Sequence, residues 1–351
     1  MIGHLAHAAG SPCPTVVLDS RQAPREEGAL VEHLTAVRGH LSAAGGGHVL
    51  KMALVRPAEH PMFDLDYRFA QALPAGPDRF DLRGSCGHSI LAAVVSAARC
   101  GMLPPLVRGA RIRVHVLNTA DSVVCDVEEA GADGARFTVS FVQPRAVPFA
   151  ELLPDETPRT VLEAGGVRHE VSLVSAGNPY VFVDARTLGI ADQRELFAAG
   201  PELFDRLVGI RLAAAERLGL PPTGAFPKVA ALLPGEDGGI AARAVSVPAW
   251  HPTLALTGAI CLGAAAGIPG TLAQDIAKEG GHTPGAPLAL TTPGGRTAVT
   301  AVAGESAHGP ALAWATVAHK QVSFQGSITL APLDQRQPKE VDSCRALSTA
   351  A

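Results

Sequence analysis

A chain of 351 residues with 47% hydrophobic side chains has length for two domains, or one large one, and apolar content for a sizeable core. A formal net charge of −4 with no basic stripe argues against nucleic acid as a partner. The N-terminal residues carry no basic segment ahead of a long apolar run, and the longest apolar stretch, 254–272, is interrupted by Pro269; we therefore expect no secretory leader, no membrane span, and a cytoplasmic protein with reduced thiols.

In chain order, alternation and β-branched residues predict strands at 15–19, 48–55, 111–117, 122–129, 136–142, 167–177, 180–185, 228–233, 242–248, 288–293, 297–303 and 320–330. Helical patterns fall at 28–42, 64–72, 87–100, 201–218, 257–266 and 308–317. Grouped strands interrupted by occasional helices predict an α+β fold rather than a doubly wound parallel sheet. The polar tail, 334–351, is expected to be frayed.

The two halves echo one another. "LKMALV" at 50–55 precedes "SCGHSILAAVVSAA" at 85–98, and "PKVAALL" at 227–233 precedes "LTGAICLGAAAGI" at 256–268. Each is a Lys-bearing strand, a gap, and a small residue plus glycine opening an Ala-rich helix. In this alignment Lys228 matches Lys51 and Thr257 matches Cys86. An internal duplication predicts two halves, 1–178 and 179–333, with a cleft between them. Both helices would point their N-termini into that cleft, where unpaired N–H groups and partial positive charge favour an anionic substrate.

None of the six cysteines forms a CxxC pair or a spacing typical of zinc. Cys86 stands at a helix start between Ser85 and Gly87, where the helix field favours a thiolate suited to general acid–base work. The other reading is a helix-start cysteine that only packs. Cys13, in the loop "GSPCPT", could line a site. Lys51 sits in an otherwise apolar strand; partial burial would make it a usable base, unless it is an edge lysine pointing into water.

"LKMALV" at 50–55, "FDLDYRFAQ" at 63–71, "SCGHSILAAV" at 85–94, "SAGNPYVFVDA" at 175–185, "PKVAALLP" at 227–234 and "LTGAICLGAAAGIPGT" at 256–271 together resemble the PrpF family, the 2-methylaconitate isomerases. The resemblance covers most of the chain and rests on the order of these stretches. It implies the diaminopimelate epimerase fold, with two similar domains that each wrap a barrel-like sheet around a central helix. It further implies a cofactor-independent isomerase that shifts a double bond in an unsaturated carboxylate by a 1,3-proton transfer. Lys51 and Cys86 would be its acid–base pair, and no metal or other cofactor is expected. A small-molecule carboxylate is the expected partner, with nucleic acid and membrane excluded and a homo-oligomer left open.

Several positions depart from the family pattern. The usual "RGGTSKG" loop reads "HAAGSPCPT" at 7–15, with His7 for the arginine, Pro12 for the lysine, and Ser11 kept. Asn-Cys-Gly-Asn reads Ser85-Cys86-Gly87-His88, and the Thr-Ser before the lysine reads Val49-Leu50. "GHPSG" reads "TTPGGR" at 291–296. These changes point to retained isomerisation on a substrate other than 2-methylaconitate, with fewer carboxylates or less polar, in a specialised pathway. Candidate substrate contacts are Ser11, Ser85, Gly87, His88, Ser89, Gly177, Asn178, Thr257, Gly258, Gly295 and Arg296. Arg296 offers a bidentate fork to a carboxylate or is a plain surface arginine. Asn178 either binds substrate or shapes a turn. His88, His251 and His319 are each open between a site role and an ordinary one. The rival readings are an epimerase or racemase on the same fold, against which Thr257 in place of a second cysteine speaks, and a non-catalytic carboxylate-binding protein.

Overall fold

The first strand of the molecule has no counterpart in the pattern-based reading. In the computed structural model, which describes residues 1–246 and 248–330, β1 (Ile2–Ala8) runs antiparallel to β2 (Thr15–Asp19). Then come α1 (Glu27–Ala43), β3 (Lys51–Pro57), β4 (Leu65–Ala72), β5 (Phe80–Asp81), α2 (Gly87–Arg99), β6 (Arg111–Val116), β7 (Asp121–Gly131) and β8 (Gly134–Pro148). The second series is β9 (Thr160–Ala164), β10 (Val167–Ala176), β11 (Asn178–Asp184), α3 (Gln193–Ala198), α4 (Pro201–Arg217), β12 (Lys228–Pro234), β13 (Ile240–Ser246) and β14 (Ala249–Trp250). It continues through α5 (Leu256–Gly267), α6 (Leu272–Glu279), β15 (Leu288–Thr292), β16 (Gly295–Ser306) and β17 (Gly309–Thr329).

The strand pairings repeat. β2 lies parallel to β3, β3 antiparallel to β4, and β4 parallel to β6. The same three relations recur as β11 with β12, β12 with β13, and β13 with β15. The registers match at the lysines: Thr15 pairs with Lys51, and Tyr180 with Lys228. The repeat begins with β10, the counterpart of β1, which places it ahead of the 178/179 division read from the sequence. The first sheet closes through β1, β2, β3, β4, β6, β7, β8 and β17, because β17 pairs with both β8 and β1. The second, carrying β10 to β13, β15 and β16, reaches the first part of β17, whose other edge pairs with β8. β17 thus belongs to both.

Each sheet encloses one helix. Every residue from Gly87 to Ala97 in α2 and from Leu256 to Ala266 in α5 is buried, as a helix without a polar face requires. Their small side chains let the strands close around them. α1 and α4 cover the outer faces with amphipathic stripes, Leu30, Leu34, Val37 and Leu41 in one and Leu203, Leu207, Ile210 and Ala214 in the other. Among the described residues no single helix is long and apolar enough to cross a membrane; α5 and α6 reach that length and hydropathy only as a pair bent by 83°.

Two helical expectations are corrected. The span read as 64–72 forms β4 from Leu65 onward, and that read as 308–317 falls in β17 from Gly309 onward. In β4, Leu65, Tyr67 and Phe69 line the interior around α2, while Ala70 packs on the outer layer beneath α1. A strand buried on both faces loses the polar alternation that would mark it. The tail 334–351, and Cys344 with it, lies outside the described residues.

Candidate active site

Lys51 begins β3 where that strand lies between Thr15 of β2 and Gln71 of β4. It is 4% exposed, so the edge-lysine reading fails. Its Nζ donates to Ser11 Oγ at 2.8 Å, and Ser11 in turn donates to the Cys13 carbonyl at 2.7 Å. The His7 ring donates through Nε2 to the Ser11 carbonyl at 3.0 Å. The loop is therefore held by its own contacts, and the ring at the family's arginine position is engaged with backbone.

Cys86 is the N-cap of α2, in extended backbone at φ −137°, and its carbonyl accepts the first intrahelical bond from Ile90. Tyr67 donates its hydroxyl to the same carbonyl at 3.3 Å. Burial pushes the thiol up, but the charges of Lys51 and Lys228, with hydrogen bonds from Ser89, bring it below the ordinary thiol range. Cys261, inside α5, has no such neighbours: it donates to the Val174 carbonyl, and burial pushes it up to about 12. Cys125 is likewise raised by burial. Cys13 is buried in the Ser11 loop, where burial raises it although Lys51 opposes the shift.

Asn178 ties the two helix starts together. Its side-chain carbonyl accepts from the Ser85 N–H at 3.0 Å, and its Nδ2 donates to the Ser85 carbonyl at 2.7 Å and to Thr257 Oγ1 at 3.0 Å. Gly177 just before it has φ +84° and turns the chain from β10 into β11. A Cβ on Gly87 would lie 2.6 Å from Leu256 Cδ2, and one on Gly258 would lie 2.4 Å from the Tyr180 hydroxyl. Only glycine allows this approach of α2 to α5 and of α5 to β11. Ser89 on α2 and Thr15 on β2 share a hydroxyl–hydroxyl hydrogen bond at 2.9 Å.

Counted from the first intrahelical bond, Ala255 occupies the cap position in α5 that Cys86 holds in α2, and Thr257 stands two residues further in. The alignment of Cys86 with Thr257 is thus offset by two. Either residue leaves the second helix without a thiol at its start.

Lys228, marked in the sequence only by the repeat, faces Cys86 from the second half. Burial, with the like charge of Lys51, pulls its amine down to about 8 although Cys86 opposes the shift. His88 and His251 stack with ring centroids 5.9 Å apart and planes 18° apart. Burial first, then the neighbouring lysines, holds both rings neutral, well below the ordinary histidine range. Both nitrogens of His88, Nε2 of His251 and Oγ of Ser85 are buried without a hydrogen-bond partner.

Gly295 and Arg296 open β16 at its turn from β15. Gly295 is an exposed turn residue at φ +124°, and Arg296 is half-exposed and paired with Asp237 at 2.8 Å. The fork expected to hold a substrate carboxylate holds a surface aspartate instead. His319 lies on the surface against Glu128. Among the described residues no cluster of three or more His, Cys, Asp or Glu could hold a metal ion. Chemically, the site offers a thiol biased toward thiolate, two lysines beside it, and two helix N-termini with their N–H groups converging from opposite halves.

A family model described as PrpF protein matches residues 36–318. The chain is 24% identical over 270 residues to the 3-methylitaconate isomerase of Eubacterium barkeri, a match covering 66% of this chain and 71% of that protein. It is 27% identical over 263 residues to the 4-oxalomesaconate tautomerase of Pseudomonas putida, covering 69% of this chain and 72% of that one. The crystal structure of methylitaconate-delta-isomerase superposes with a TM-score of 0.64 at 20% identity, over 97% of this chain and 99% of that one.

Proposed function

The chain belongs to the PrpF family, and from that membership we propose that it is a cofactor-independent isomerase that moves a double bond in an unsaturated carboxylate, with Lys51 and Cys86 as its proton carriers. The observation that carries this reading is the position of Cys86, a helix-cap thiol lowered by two lysines. The relatives named as methylitaconate and oxalomesaconate isomerases act on such substrates.

In this reading the Cys86 thiolate removes a proton from the carbon adjacent to the double bond. The electron pair spreads over the allylic system and its carboxylate as a dienolate. The Lys51 ammonium returns a proton two carbons away, leaving a thiol and an amine that re-equilibrate through solvent. The added negative charge develops between the N-termini of α2 and α5, with Lys228 beside it, so the stabilising field is already in place. Ser11 orients the Lys51 amine. Ser85, Gly87, His88, Ser89, Gly177, Asn178, Thr257 and Gly258 shape the substrate cleft. With His7 engaged on the Ser11 carbonyl and Pro12 in place of a lysine, the loop offers no cationic clamp; this supports a substrate other than 2-methylaconitate. An epimerase working with two opposed thiols is disfavoured by Ala255 at the second cap and by the high pKa of Cys261.

Proton NMR in deuterated buffer, with a panel of unsaturated mono-, di- and tricarboxylates, tests this. Deuterium is expected at the distal allylic carbon of a turned-over substrate, and Cys86→Ala and Lys51→Ala should each abolish it. Exchange confined to a stereocentre would mark an epimerase, and full activity in either variant would remove the proposed pair.

A further inference from the structure

The strand β17 carries a lysine that the mechanism above does not use. Along β17, Val317 pairs with Val139 and Lys320 with Phe137, so three steps on β17 meet two on β8. That is a β-bulge with one extra residue. Without it, the inward face would continue from Val317 to His319 and Gln321. With it, the inward face passes to Lys320 and then to the buried Val322, opposite the fully buried Phe137. The bulge is fixed in an unusual way. His319 adopts φ +59°, a left-handed conformation rare for residues other than glycine. Glu128 accepts both its backbone N–H at 2.9 Å and its ring at 2.8 Å. Strained backbone held by side-chain bonds suggests that the placement of Lys320 matters.

Lys320 pairs with no carboxylate among the described residues. Its charge is felt by both rings of the His88–His251 stack. His251 Nδ1 accepts the Thr253 N–H at 3.2 Å, so in the neutral ring the proton is on Nε2. That Nε2–H is a buried donor without a partner, and His88 brings another. A cation and two unpaired donors at the first turn of α2 match a carboxylate.

We propose that Lys320, turned inward by the bulge, and the stacked pair His88–His251 form a second carboxylate subsite, making the substrate a dicarboxylate whose distal carboxylate lies against the bulge of β17. This rests on the isomerase reading and names its substrate class. The cation missing from the N-terminal loop is supplied by the strand beside it, where the Ala9 N–H donates to the Gln321 carbonyl at 2.8 Å, one residue from Lys320.

The test is binding, measured by calorimetry on the full chain with succinate and glutarate against their monomethyl esters, which are saturated and cannot turn over. The wild-type protein should favour the diacids by about 10-fold to 100-fold, the range of a charge-assisted contact. Lys320→Met should abolish that preference without weakening the esters, Lys320→Arg should keep it, and His251→Phe, which keeps the stacked ring, should reduce it. Absence of a diacid preference in the wild type, or its survival in Lys320→Met, overturns the subsite. So does equal weakening of acid and ester in a Lys320→Met protein whose melting is unchanged. Failure of deuterium exchange would sink the isomerase reading while leaving this binding difference measurable; loss of the Lys320 effect with exchange intact sinks the subsite alone.

Discussion

Cys86 and Cys261 are both buried thiols on central helices, yet their surroundings push them in opposite directions. Cys261 sees a backbone carbonyl and apolar packing; Cys86 sees two lysines and the start of a helix. Deprotonation of Cys86 should show as thiolate absorbance near 240 nm, in the difference between wild type and Cys86→Ser, below the pH at which an ordinary thiol ionises. Removing a cation destabilises the charged form, so Lys228→Met should move that midpoint upward. Lys228 itself loses its proton above about 8, so the support it gives the thiolate, and activity with it, should fade above that pH. A titration unchanged by Lys228→Met would show that the second lysine does not act on Cys86. At this scale the sequence was informative where a residue type clashed with its local pattern. A lysine in an apolar strand and a cysteine between a serine and a glycine stood out. Lys320 did not, because nothing in "AHKQV" reveals an extra residue in a ladder or its inward turn. Arg296 looked suitable in a Gly-rich loop, but its partner, Asp237, is distant in sequence and could not be read.

The meeting of α2 and α5 depends on Asn178 and two glycines. Asn178→Ala leaves the Ser85 backbone and Thr257 hydroxyl without their buried partner, a loss of about 1–3 kcal/mol, and frees the two helix starts to drift. Its melting temperature should fall, and turnover should fall further than substrate affinity. Gly258→Ala places a methyl against the Tyr180 hydroxyl; overpacking of this kind costs about 1–3 kcal/mol. Chemical denaturation of both variants checks these values, and wild-type stability in Gly258→Ala would show that β11 can yield. The central helices were legible because all-apolar Ala-rich runs are long and unmistakable. β4 and part of β17 were misread as helices because Ala-rich or doubly buried strands carry little alternation, and tertiary packing overrides local propensity. The repeat was visible in its lysines and helix openings, and the two-residue offset between Cys86 and Thr257 was not.

At the scale of the molecule, the halves are not separable at the sequence division, since β17 follows the second half yet closes the first sheet between β8 and β1. A chain truncated after Ser306 would leave those two strands with bare edges, which invite aggregation. Such a chain should lose cooperative unfolding and expose apolar surface to a dye such as ANS, whereas a native-like melt would mean the first sheet closes without β17.

That closure also sets an order in time. Ile2 pairs with Thr329, so a growing polypeptide presents its first strand to solvent long before the partner exists. Contacts between such distant segments form slowly, and the waiting edge is exposed while they do. Lys51 stands on a strand of the sheet that this pairing closes, and Cys86 caps the helix it encloses. A nascent chain that has not reached β17 lacks the strand that closes the wall around them.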